Sequence, residues 1–230
     1  MCGRYTLAAT VAELESRFGV SFPTDAAPRY NAAPSEELAV VTGEEARGME
    51  WGLTPSWADE SFDLINARAE TITDKRSFAD AYERRRCLVP ADGFYEWADT
   101  PDGKHPYRVA FEDDRVFAMA GIYERWQPPT TQTGLGAFTD DGEADTDPVE
   151  TFAVVTTEPN AVVSDLHHRM AVILPPDRES DWLTADPDDA RDLLRPHPPD
   201  EMHSYRVTDA VGDPSNDGPE LLEPVESASD

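Results

Sequence analysis

Arg86-Cys-Leu-Val-Pro-Ala-Asp-Gly-Phe-Tyr-Glu-Trp97, followed after a Pro101-Asp-Gly103 turn by Tyr107-Arg-Val-Ala-Phe111, decides the fold class. Cys87 to Val89, Phe94 to Trp97 and Tyr107 to Phe111 are short β-branched or aromatic runs separated by turn residues, the pattern of successive strands in an antiparallel sheet. Outward from this centre the pattern continues. Val116 to Tyr123, Phe152 to Thr156 and Met170 to Leu174 read as strands on the C-terminal side, and Arg4 to Leu7 and Leu38 to Thr42 on the N-terminal side, with Tyr205 to Thr208 as a last strand. Helices are few. Thr10 caps one, with Glu13 three residues on and Gly19 as its stop, so that Val11, Leu14 and Phe18 form its apolar face. Asp74 to Arg86 is predicted as a helix with Phe78 and Tyr82 inward, and Pro187 to Leu194 as a short late one. The predicted fold is α+β: a β-rich single domain over residues 1–224, its antiparallel strands forming a distorted barrel or sandwich flanked by short helices. Residues 127–150, rich in Pro, Thr, Gly and Asp, are expected as a solvated insertion loop, and 225–230 as a polar tail.

Composition bounds the function. The chain has 230 residues, 39% of them apolar, and a formal charge of −28 from 47 acidic against 19 basic residues. Lysine is confined to Lys75 and Lys104, and the acids are spread along the whole length. Such a surface is what molar salt permits, because a Debye length of roughly 3 Å screens self-repulsion; the expectation is a halophilic protein whose acidity describes its solvent, not its ligand. Two cysteines are too few for a disulfide framework, and no apolar leader or membrane-length run is present, so a soluble, monomeric, cytoplasmic protein is expected. His105, His197 and His203 share no ligand spacing with His167-His168 or with the cysteines, so neither a metal nor a cofactor is expected.

Cys2 is the most informative residue. Removal of Met1 leaves an α-amine and a thiol on one carbon frame, and such a 1,2-aminothiol condenses with an aldehyde and closes a thiazolidine ring. Position alone also fits an incidental small residue. Arg4 is a cation two residues away, suited to a phosphate. Asn66, Arg68 and Glu70 alternate and share one face if the segment is extended, or form an ordinary polar surface strand. Glu96 lies between aromatics, where desolvation raises a carboxyl pKa and suits proton transfer, or else points to water at a strand edge. His167-His168-Arg169-Met170 precedes a buried strand, where an imidazole is functional or structural. Trp51 is expected in the core and Trp57 exposed, as a surface for stacking bases.

Together these segments resemble the SRAP family, named for SOS-response-associated peptidase, whose members link covalently to abasic DNA. Met1-Cys-Gly-Arg-Tyr5, Pro28-Arg-Tyr-Asn-Ala-Ala-Pro34, Asn66-Ala-Arg-Ala-Glu-Thr71, Arg86 to Trp97, His167-His-Arg-Met170 and the Ser215 to Pro224 ending occur in the family's order along the chain. The resemblance implies Cys2 as the crosslinking residue, Asn66 as the amide beside the ring and sugar, Glu96 as acid/base and His167 as an aid to sugar opening or proton transfer. It implies phosphate contacts for Arg4, Arg68 and Arg169, and single-stranded DNA with abasic sites as the partner, shielded during the DNA damage response, with the replication machinery as a further partner class. Weak lyase and autopeptidase activities are implied beside the crosslink. The chain departs from the family pattern at Ala171, where proline is usual, and at Gly212-Asp-Pro-Ser-Asn216, which lacks a common basic residue. The rival readings are an N-terminal-nucleophile amidohydrolase, a peptidase using Cys2, and a non-covalent single-strand binder.

Overall fold

The computed structural model describes residues 2–26, 28–128 and 147–225. Among the described residues thirteen strands build two sheets on a shared core. The first sheet contains β1 (Tyr5–Leu7), β2 (Arg29–Ala32), β7 (Gly93–Thr100), β8 (Gly103–Phe111) and β13 (Met202–Arg206), in the order β13-β8-β7-β1-β2. The second contains β3 (Glu37–Val41), β4 (Ala46–Trp51), β6 (Arg86–Ala91), β9 (Phe117–Trp126) and β10 (Val149–Thr157), with the short strands β5 (Asn66–Arg68), β11 (Met170–Ala171) and β12 (Ile173–Leu174) attached. The path β10-β4-β3-β6-β9 returns to β10, so five strands close a barrel and remove their own edges. Four α-helices among the described residues flank the sheets: α1 (Val11–Phe18), α2 (Ala79–Arg84), α3 (Glu179–Thr184) and α4 (Pro187–Arg191).

The α+β, β-rich expectation holds, with local corrections. Most pairings are antiparallel, but β10 runs parallel to β4 and then to β5. Gly52, at φ 153°, takes the chain out of β4 in a conformation that side chains rarely adopt; β5 then resumes the same parallel edge. The helix predicted over 74–86 shrinks to α2 because Arg85 leaves helical geometry and Arg86 joins β6, although Phe78 and Tyr82 are buried as expected. The helix predicted over 187–194 ends at Arg191. The insertion expected over 127–150 ends earlier, since Val149 and Glu150 pair with Trp126 and Arg125; residues 129–146 of it, and 226–230 of the tail, lie outside the described residues. The capping box on α1 forms as read, with Thr10 and Glu13 each accepting from the other's backbone N–H.

Two sequence segments far apart prove to be one structural unit. Asn31, buried in β2, donates through Nδ2 towards the carbonyls of Val211 (3.2 Å), Asp213 (3.1 Å) and Asn216 (3.0 Å). Asp217 answers by accepting from the N–H groups of Tyr30 and Asn31 at 2.6 and 2.9 Å. Tyr95 donates its hydroxyl to the Tyr30 carbonyl at 2.9 Å, tying β7 to the same knot. A buried polar residue satisfying several carbonyls is costly to remove, since each loses its partner away from water. Asn31→Ala is therefore expected to cost about 2–4 kcal/mol in a denaturant titration, with hydrogen exchange accelerated first over residues 209–222.

Candidate functional site

The site starts with a buried carboxylate that fastens β1 to β7. Asp92 accepts from the Thr6 hydroxyl at 2.5 Å and from the Ala8 N–H, while Arg108 donates to its Oδ1 and to its carbonyl, both at 3.1 Å. Gly93 makes this possible. A Cβ there would stand 2.7 Å from Arg108 Nε and 2.9 Å from Thr6 Oγ1, so only glycine lets the guanidinium cross the strand to reach Asp92. The register that follows pairs Tyr5 with Phe94, and Tyr95 N–H donates to the Arg4 carbonyl at 3.0 Å. Cys2, just ahead of β1, and Glu96, within β7, are thereby carried to the same end of the sheet.

Cys2 is fully buried, and its carbonyl accepts from Asn66 Nδ2 at 2.9 Å. Asn66 Oδ1 is buried with no hydrogen-bond partner among the described residues. Burial pushes the Cys2 thiol well above its ordinary value, and the negative charge of Glu96 adds to the shift. Glu96 is 2% exposed, and burial pushes its carboxyl up to about 7. His167 Nδ1 stands 4.0 Å from Glu96 Oε1 and 3.1 Å from both the N–H and the carbonyl of Arg169. Burial lowers the His167 pKa, so a neutral imidazole faces a carboxyl that titrates near neutrality.

Asn66 and Arg68 alternate around buried Ala67 as expected of an extended segment, but Glu70 does not extend the row. It sits in a 3-10 turn over Ala69–Thr71 and binds Arg169 through both carboxylate oxygens, at 2.5 and 2.9 Å. Arg169, expected to meet phosphate, also donates to the Thr156 carbonyl at 2.6 Å and is buried. With its terminal nitrogens engaged in this way, it braces the His167 turn against β5 and β10. Glu70 is held below its ordinary pKa by that bond. Arg4 is half-buried with Nε unpartnered among the described residues, and Arg68 is exposed. Trp51 is in the core and Trp57 is 42% exposed, as read; Phe62 meets the Trp57 ring edge-on at 5.6 Å and Arg76 lies 4.1 Å over it. Phe62 and Arg76 were not legible, because no local pattern distinguishes them. A cavity of about 450 Å³ lined by Glu13, Asp92, Arg108 and Tyr205 opens on the other face of the first sheet from Glu96, away from Cys2.

The family model for SOS response associated peptidase (SRAP) matches residues 1–214. The chain belongs to the SRAP family. Among curated SRAP relatives it is 35% identical to the abasic site processing protein YoqW of Bacillus subtilis, covering 97% of this chain and 99% of the relative. It is 28% identical to the abasic site processing protein YedK of Escherichia coli, covering 98% and 100%. A crystal structure of a protein from Bacteroides thetaiotaomicron has the same fold, with a TM-score of 0.85 at 24% identity over 98% of this chain and all of that one. Among the described residues of this SRAP chain no three His, Cys, Asp or Glu side chains group to hold a metal, and no helix is long and apolar enough to cross a membrane.

The raised Glu96 carboxyl makes a stability statement. Its folded-state pKa lies above the ordinary carboxyl value of about 4.3, so ionisation is disfavoured by the fold, and the penalty grows as pH rises from there to about 7 and is constant above. Glu96→Gln is expected to melt higher than wild type at pH 8, with the gap closing towards pH 5, in thermal unfolding monitored by circular dichroism.

Proposed function

We propose that this protein captures abasic sites in single-stranded DNA covalently through Cys2, and so shields them. The observation that carries the reading is the grouping of a buried near-neutral carboxyl, Glu96, with His167 at 4.0 Å and with Cys2, whose carbonyl Asn66 holds. The names of the relatives above point to the same substrate.

In this reading Met1 is removed and the Cys2 α-amine attacks the C1 aldehyde of the ring-opened sugar. The C–N bond forms, and the Glu96 carboxyl gives the proton with which the carbonyl oxygen leaves as water, so that a protonated Schiff base faces a Glu96 carboxylate. A dry site keeps the thiol protonated, which supports an amine-first order and speaks against a peptidase that needs a resting thiolate. The sulfur then adds to the same carbon; its proton passes to the Glu96 carboxylate as the iminium electrons return to nitrogen, closing the thiazolidine. His167, kept neutral by burial, assists the proton transfers that open the sugar. The Asn66 amide orients Cys2 and offers Oδ1 to the substrate. Arg4 and Arg68 take phosphates, Trp57 with Arg76 stacks an unpaired base, and Arg169 serves chiefly as the brace of His167. In salt strong enough to screen a charge of −28, electrostatic strand binding weakens steeply; a covalent bond is indifferent to it.

Incubation with an abasic single strand followed by a denaturing gel tests the proposal. Wild type is expected to give a heat-stable adduct and Cys2→Ala none, while Glu96→Gln slows formation by about 10- to 10⁴-fold with affinity for intact strands unchanged. Undiminished crosslinking by Cys2→Ala rejects it.

A further inference from the structure

The sheet that delivers Glu96 continues beyond it. Glu96 pairs with Tyr107 across β7 and β8, and Tyr107 pairs with Arg206 across β8 and β13. Directly opposed residues stand on the same face of a sheet, so Glu96, Tyr107 and Arg206 form one transverse row. Further in, that face is core: Phe94 and Val109 belong to the same row-by-row alternation and are buried. At the Glu96 row it becomes half-buried, with Tyr107 and Arg206 partly accessible. Strands lie about 4.8 Å apart, which puts the Arg206 backbone about 10 Å from that of Glu96.

Acids outnumber bases 47 to 19, and arginines such as Arg17, Arg85, Arg108, Arg115 and Arg169 are paired with carboxylates. Arg206, like Arg4, Arg68, Arg76, Arg86 and Arg191, forms no ion pair with a carboxylate among the described residues. Its guanidinium donates to His105 Nδ1 at 2.8 Å, and its Nε is buried with no partner. Two carboxylates lie about the same imidazole, Asp102 at 3.1 Å from Nε2 and Asp209 at 3.4 Å from the Nδ1 that accepts from Arg206. A half-buried guanidinium that no carboxylate bonds directly keeps N–H donors for a ligand that supplies negative charge. Lys104, one of the two lysines, pairs with Asp99 three residues along β7 from Glu96, and its charge bears on both Glu96 and His167.

We infer that Arg206, steadied by His105, is a phosphate subsite for the DNA strand flanking the position that Cys2 captures. The inference rests on the function proposed above and adds to it a strand path across the β7-β8-β13 face. The cross-strand row runs away from Glu96 in a single line, the direction in which a single strand would carry its next phosphates.

The test reads affinity for intact single-stranded DNA by fluorescence anisotropy, from about 0.2 to 1 M salt, within the range where circular dichroism shows the full fold. Arg206→Gln, which keeps a donor for His105 without the charge, is expected to flatten the slope of log affinity against log salt by about 0.7 and to weaken binding about 3-fold at 0.2 M. Arg206→Lys is expected to restore the slope, and Arg195→Ala, an exposed residue paired with Asp192, to leave it unchanged. A scan of single methylphosphonates through an abasic strand should find one neutralised flanking phosphate that weakens wild type and leaves Arg206→Gln unaffected. A wild-type slope in Arg206→Gln together with wild-type sensitivity at every position overturns the subsite, whatever the change in melting temperature. If the Cys2-dependent adduct forms while the slope is unaltered, only the subsite falls; if wild type forms no adduct, the function proposed for Cys2 falls by itself.

Discussion

The arrangement depends on one buried ion pair. Asp92 and Arg108 face each other at 3.1 Å with side chains 5% and 3% exposed, and removing two charges from water costs more than their attraction returns unless other bonds help. Here they do. Asp92 also accepts from Thr6 and Ala8, and Arg108 also donates to Asp114 at 2.7 Å and to the Tyr205 hydroxyl at 2.9 Å. What the pair contributes is register. A slip of β1 by one residue would leave Asp92 without Thr6 and would exchange the faces presented by every residue of that strand, with Tyr5 leaving the core. A hydrophobic pair could fill the space but could not discriminate that slip, and the relative placement of Cys2 and Glu96 follows from it.

The chemistry of the site is a consequence of dryness. One physical cause, burial, raises the Glu96 carboxyl to about 7, raises the Cys2 thiol and lowers His167. Each shift moves its group towards neutrality, so at neutral pH the site holds groups that exchange protons without first having to desolvate. The Arg169 brace places the polar cost elsewhere: a bidentate bond to Glu70 and a bond to the Thr156 carbonyl hold the turn that presents His167. Groups kept dry and preorganised in this way lower stability where they sit, and the Asn31 knot, the closed barrel and the aromatic core supply it elsewhere.

Much of this was legible locally. The strands around Arg86 to Phe111 announced themselves through β-branched runs and the Pro101-Asp-Gly103 turn, α1 through its cap, and the surroundings of Glu96 through the aromatics on either side. What escaped depends on partners distant in sequence. β2 has no alternating pattern, because Tyr30 and Asn31 face the C-terminal loop and are fixed by Asp217, 186 and more positions away. β4, Ala46-Arg-Gly-Met-Glu-Trp51, carries a glycine and two charges, and is a strand because β3 and β10 claim its two edges. Arg169 was read from the sequence as a phosphate contact and not as a brace, since Glu70 reaches it only after β5 breaks into a 3-10 turn. The ladder from Glu96 to Arg206 is likewise a property of register, invisible along the chain.

The central claim is that both the nitrogen and the sulfur of Cys2 end up bonded to one sugar carbon. The direct measurement is tandem mass spectrometry of the purified adduct after borohydride reduction, unfolding and treatment with iodoacetamide. A closed thiazolidine has neither an imine to reduce nor a thiol to alkylate, so the account predicts a Cys2 peptide carrying the sugar remnant, unalkylated and without added hydrogen. A sugar remnant on any other residue, or a Cys2 peptide with a reduced amine linkage and an alkylated sulfur, contradicts it.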